Sequence, residues 1–225
     1  MALILDLALQ DTGAGYTWTD ASASANHGTS AVLAPDDVAV GGPGGVLTRA
    51  VDGKLVEDFG DAIALGSEIS FAASDEFHLS FFGKRNDTTQ FDIFSYDSLV
   101  ISLVYFTSSS HSIRLADQSS GGGQRATGVD TTAWHHYGFN GQADGTVDVW
   151  VDGSLYGPLA SSRVDVFAME YIKCLSNGYG CGMRVYDTVL AEADIISDAA
   201  RGGISPAAGG GQKSKWNKLR LIGAI

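Results

Sequence analysis

Val147, Val149 and Val151 alternate with Asp148, Trp150 and Asp152, and the dipeptide Asp152-Gly153 follows at once. An alternation of period two marks a strand whose two faces meet different surroundings. Asp-Gly is a strong hairpin signal because both residues tolerate positive φ. Upstream, Trp134 to Phe139 is a second aromatic-rich run, and "NGQADG" separates the two. The stretch from Thr131 to Gly157 therefore reads as strand, loop, strand, tight turn, strand. This pattern places Trp134, Val149 and Val151 in the core. It also settles how to read the adjacent His135 and His136. Neighbours on a strand point to opposite faces, so one histidine packs inward and the other faces out, and the pair does not share a metal ion. No HxH or HExxH spacing is present.

The same pattern recurs along the chain. "FHLSFFGKR" puts Phe77, Leu79 and Phe81 on one face and His78, Ser80 and Phe82 on the other. "MALILDLALQ", "FDIFSY", "LVISLVYF", "SIRLAD", "VFAMEYIKCL" and "CGMRVYD" are further strand candidates, divided by glycine-rich and polar loops. Only the region from about 189 to 199 has helical character. With 225 residues, 29 glycines and 4 prolines, the chain fits an all-β fold. The expected form is a two-sheet antiparallel jelly-roll sandwich over residues 1–204, with one short C-terminal helix. Residues 205–225 form a separate unit: the linker "SPAAGGGQ", then a basic and apolar tail.

Charge is distributed unevenly. All 26 acidic residues and ten of the 14 basic ones lie before residue 209, so this body carries −16; Lys213, Lys215, Lys218 and Arg220 give the rest +4. An acidic body repels nucleic acid and anionic membranes. No segment reaches the ~18 apolar residues of a membrane span. "MALILDLALQ" lacks a basic leader region, and Asp6 interrupts its apolar stretch, so no secretory signal is expected. The tail adds Trp216, Leu219, Leu221, Ile222 and Ile225 to its charges. Lys213, Lys215, Trp216, Lys218, Leu219 and Arg220 are accordingly candidate assembly contacts with an acidic neighbour.

Catalytic signals are missing. "EADIIS" at 192–197 lacks the last acid of a Glu-x-Asp-x-x-Glu glucanase strand and falls in the helical region. There is no Gly-x-Ser-x-Gly elbow, and none of the glycine clusters carries the Gly-Lys-Ser/Thr of a phosphate loop. Cys174 and Cys181 bracket "LSNGYG" and are either two thiols or a hairpin disulfide. Sugar recognition calls for loop aromatics and amides, which makes Tyr96, Asp97, His111, Asn177 and Tyr179 candidate ligand contacts.

Three segments, in order, resemble a known family. "TAWHHYGFNGQADGTVDVWVDGSL" is similar to the signature hairpin of laminin G-like, concanavalin A-like domains; "DASASANHGT" resembles their early segment, and "CGMRVYDTVLAEADI" their closing strand and helical turn. The chain departs from the pattern at Ala25, where glycine is usual, at Ala191, where a serine cap is common, and at Asp194 in place of Glu. The resemblance implies a jelly roll. Through the family's calcium sites it also makes calcium a possible cofactor, with Asp20 and Asp61 as candidate ligands. The function expected is a non-catalytic structural or binding module. Its first setting is a bacteriophage virion, as a capsid decoration, spike or tail component. There the partners would be other virion proteins, copies of itself, or host-surface polysaccharide. The alternative is a secreted or surface carbohydrate-binding module of a larger protein.

Overall fold

The computed structural model describes residues 1–11, 16–25, 38–40, 47–49, 63–85, 91–96, 101–106, 112–115, 123–172 and 178–202. The strands are β1 (Leu3–Asp11), β2 (Tyr16–Asp20), β3 (Val38–Val40), β4 (Leu47–Arg49), β5 (Ile63–Phe71), β6 (Phe77–Arg85), β7 (Phe91–Tyr96) and β8 (Ile101–Phe106). They continue with β9 (Ser112–Leu115), β10 (Gly123–Ala126), β11 (His135–Gly141), β12 (Val147–Val151), β13 (Ser154–Pro158), β14 (Phe167–Ile172) and β15 (Gly178–Tyr186). One helix, α1 (Glu192–Ala200), closes the described chain.

Two antiparallel sheets result. The larger runs β13-β12-β11-β6-β15-β1-β2, with β4 pairing β15 and β3 pairing β4; the smaller runs β10-β9-β8-β7-β14-β5. Their facing residues make one core. Leu5, Leu79, Phe81, Tyr137, Phe139, Val149, Val151 and Val185 of the large sheet meet Leu65, Phe71, Ile113, Leu115, Phe167 and Met169 of the small one. Phe77 stacks between Phe71 and Phe167, with ring centroids 4.9 and 5.3 Å away. This is the expected all-β sandwich, and Val149 and Val151 lie in its core as the alternation requires. Trp134 does not. It sits just before β11, half-buried, with the Lys84 ammonium 5.7 Å from its ring centre. It shares the parity of His136, Gly138 and Asn140, the face turned away from the other sheet. Among the described residues, no helix is long and apolar enough to cross a membrane.

In β6 every residue from Phe77 to Gly83 is buried, on both faces. A strand of a two-layer sandwich leaves its outer face to solvent unless a further element covers it. Here α1 does so. Leu190 and Ile195 pack on Trp150 and Tyr186 as a second, smaller apolar cluster. Ala191 gives the helix no side-chain cap, while Glu192 and Asp194 in its first turn favour the positive end of the helix dipole.

The Asp152-Gly153 turn forms as expected, with φ of 52° and 73°. The departure at Ala25 has a visible cost: Ala25 adopts φ 48°, a left-handed conformation that suits glycine. Relieving it offsets glycine's extra unfolded-state entropy. Ala25→Gly is therefore expected to stabilise the fold by about 0.5–1 kcal/mol, read as a rise in the urea midpoint.

Candidate functional site

The two histidines answer to separate carboxylates. His135, its side chain 16% exposed, holds Asp152 Oδ2 through Nδ1 at 2.6 Å, and its Nε2 meets the Asp130 carbonyl at 3.0 Å. The other oxygen of Asp152 accepts the His136 backbone N–H at 2.9 Å. This carboxylate thus ties β11 to the β12–β13 turn. Burial presses the His135 pKa down, but the bond to Asp152 outweighs it and the net displacement is upward. His136 points the opposite way, is fully buried, and donates from Nε2 to Asp198 Oδ2 at 3.0 Å.

Asp198 is the hub of a polar layer between α1 and the large sheet. Its side chain is 3% exposed. Oδ2 also accepts the Ser80 hydroxyl at 2.6 Å; Oδ1 accepts Arg184 Nη1 at 3.0 Å and Arg201 Nε at 2.6 Å. Arg184 then grips Asp6 with two parallel bonds of 2.9 and 3.0 Å. Burial alone would raise the Asp198 pKa, yet the His136 bond and the Arg201 charge hold it well below the usual carboxylate range. A second clamp lies alongside. Asn140 donates through Nδ2 to the Leu190 carbonyl at 2.9 Å and accepts the Leu190 N–H at 3.1 Å, which fixes its amide orientation. Its Oδ1 therefore accepts from His78 Nδ1 at 2.7 Å.

Serine, histidine and aspartate meet here, but not as a nucleophile relay. The Ser80 hydroxyl is fully buried and donates to the carboxylate rather than to the imidazole. The layer's chemistry is to dock a helix. At the layer's edge is an open cleft of about 180 Å³, lined by Met1, Arg184, Tyr186, Leu190, Asp194, Ser197, Asp198 and Arg201.

Of the residues singled out in the sequence, Tyr96 ends β7 in the small sheet opposite Ile101, and Tyr179 lies in β15 of the large sheet opposite Lys84. The two are on different sheets. Asp97, His111, Asn177, Asp61 and Cys174 fall outside the described residues, as do Lys213, Lys215, Trp216, Lys218, Leu219 and Arg220. Cys181 is in β15 opposite Phe82. The Asp20 carboxylate is buried and clamps a turn: Oδ1 accepts the backbone N–H groups of Asp6 and Ser22, both at 2.8 Å, and Oδ2 the Ser22 hydroxyl at 2.8 Å. Among the described residues, no group of three or more His, Cys, Asp or Glu is arranged to hold a metal. Asp198, Arg184 and Arg201 are additions from the structure. Asp198 was foreshadowed by its spacing, since it shares the inward stripe of Ile195 and Ala199.

Fold and site together define an all-β sandwich module with a helix pinned to one face. Solved structures share this fold. The chain is similar to the binding domain of Paraclostridial Mosquitocidal Protein 1, with 11% identity, TM-score 0.58, and 88% of this chain aligned to 52% of that one. It is similar to the receptor binding domain of botulinum neurotoxin D, with 12% identity, TM-score 0.56 and coverage of 88% and 52%. It also resembles the botulinum neurotoxin serotype G binding domain, with 13% identity, TM-score 0.57 and coverage of 88% and 50%. The chain spans about half the length of each. No family model and no curated protein sequence matches it.

Proposed function

We propose that the chain is a non-catalytic binding module of the laminin G-like, concanavalin A-like kind, which attaches to surface carbohydrate as a structural component of a bacteriophage virion. The observation that carries the binding reading is the shared sandwich. Solved structures with this architecture are described as binding and receptor-binding domains. The polar layer around Asp198 supports it from the other side, because its hydroxyl, imidazole and carboxylate are spent on one another. The virion setting rests on charge. A −16 body and a +4 apolar tail are complementary, as an arm reaching a neighbouring copy requires.

The test is retention of the full-length chain on immobilised bacterial surface polysaccharides, with released reducing ends measured in parallel. Binding without release is expected. Steady release of sugar, or no retention on any polysaccharide, overturns the binding-module reading. Mass spectrometry of purified particles is expected to find the chain in the virion, and its absence there overturns the setting.

A further inference from the structure

We propose that the cleft beside α1 is the sugar-binding site, and that it takes one neutral hexose ring. This rests on the binding-module reading above and assigns it a place. The cleft's volume, about 180 Å³, is below the roughly 300–1,000 Å³ of sites for drug-sized ligands, so it holds a single ring rather than an extended chain. Its walls offer what a sugar needs: the half-buried Tyr186 ring and Leu190 against C–H faces, and both donors and acceptors for hydroxyls.

The donors are the two guanidinium groups. Each has five N–H bonds to give. Within the described residues Arg184 uses three, two on Asp6 and one on Asp198. Arg201 uses two, on Asp198 and the Gly182 carbonyl. The rest make no hydrogen bond among the described residues, and the Arg201 guanidinium also lies over the Phe82 ring, 5.3 Å from its centre. Because Asp198 is buried and holds both guanidinium groups, their orientation is set before a ligand arrives, which lowers the ordering cost of binding. Asp194 and Ser197, both exposed on α1, supply acceptors.

Charge selects the class of sugar. Arg184 and Arg201 are matched by Asp6 and Asp198, and Asp194 and the Met1 terminus bring one charge of each sign. An anionic sugar would meet guanidinium groups already neutralised and no net positive charge. A neutral polyol loses nothing and finds both bond polarities.

The experiment titrates the full-length chain with oligosaccharides ending in glucose, galactose or mannose, and with sialylated and sulfated counterparts. Ser197→Trp fills the cleft from an exposed helix position, and Asp194→Asn removes an acceptor charge. Expected are binding to a neutral oligosaccharide, at least tenfold weaker binding by Ser197→Trp at an unchanged thermal midpoint, and a smaller loss for Asp194→Asn. If Ser197→Trp stays folded and binds as tightly as the parent, the cleft is not the site, although the binding-module reading stands. Preference for anionic sugars overturns the neutral assignment. No binding to any sugar overturns both the cleft and the carbohydrate reading.

Discussion

Asp198→Ala is expected to destabilise the fold by about 3–5 kcal/mol, the range for removing one partner from a buried ion-paired network. The carboxylate accepts from four donors at 2.6–3.0 Å. Removing it leaves the Ser80 hydroxyl and the His136 Nε2–H, both fully buried, without their acceptor. Among the described residues Arg201 keeps the Gly182 carbonyl, at 3.1 Å, and its place over the Phe82 ring. Arg184 loses least, since Asp6 still holds it by two bonds. Asp198→Asn rescues little. Oδ1 and Oδ2 each accept two donors, so either orientation of the amide turns an NH₂ toward two of them. Urea unfolding of the two variants should give similar losses, with exchange protection lost first in α1. A loss under about 1 kcal/mol in Asp198→Ala would show that the network does not hold the helix.

The strand pattern and the turn were legible because they are local. Alternation in β6, β11 and β12 follows from adjacent residues, and Asp152-Gly153 carries its own backbone preference. The opposite facing of His135 and His136 follows from the same period. Their partners did not follow. His136 and Asp198 are 62 residues apart, and Ser80 and Asp198 are 118 apart. Nothing in either segment alone names the other. Trp134 failed on parity: it shares the outer row of His136, Gly138 and Asn140, whereas Tyr137 and Phe139 carry the inward row that meets Val151 and Val149. Burial of β6 on both faces was equally hidden. The outer row His78, Ser80, Phe82 looks solvent-facing until α1 folds back across it.

Acidification from pH 6.5 to 4 is expected to cost the fold about 3 kcal/mol through His78 alone. Burial holds this imidazole down at about pKa 4, against 6.5 when free. The cause is geometric. Asn140 accepts the Nδ1 proton, so protonation must occur at Nε2, a buried atom with no hydrogen-bond partner among the described residues. The groups around it are His136 and Asn140 on β11, Tyr186 on β15, and Asp198 on α1; the negative charge of Asp198 does not offset desolvation. Between the two values the unfolded state binds a proton that the folded state refuses, so stability falls as pH falls. At 1.36 kcal/mol per pKa unit the full drop from 6.5 to about 4 is worth about 3.4 kcal/mol, most of which falls inside this window. Other shifted groups leave the window readable. The His135 contribution is fully present below pH 6.5 and is lost only as pH rises through its elevated folded value. That of Asp198, depressed, is present above its unfolded value of 3.8 and is lost only as pH falls below it. Half-buried Asp148, raised by burial, adds a small opposing gain near the acid end. Urea unfolding at half-unit steps should therefore show a steady decline across the window. His78→Gln should flatten it, whatever that variant's absolute stability. If the slope persists in His78→Gln, the acid sensitivity belongs to another group.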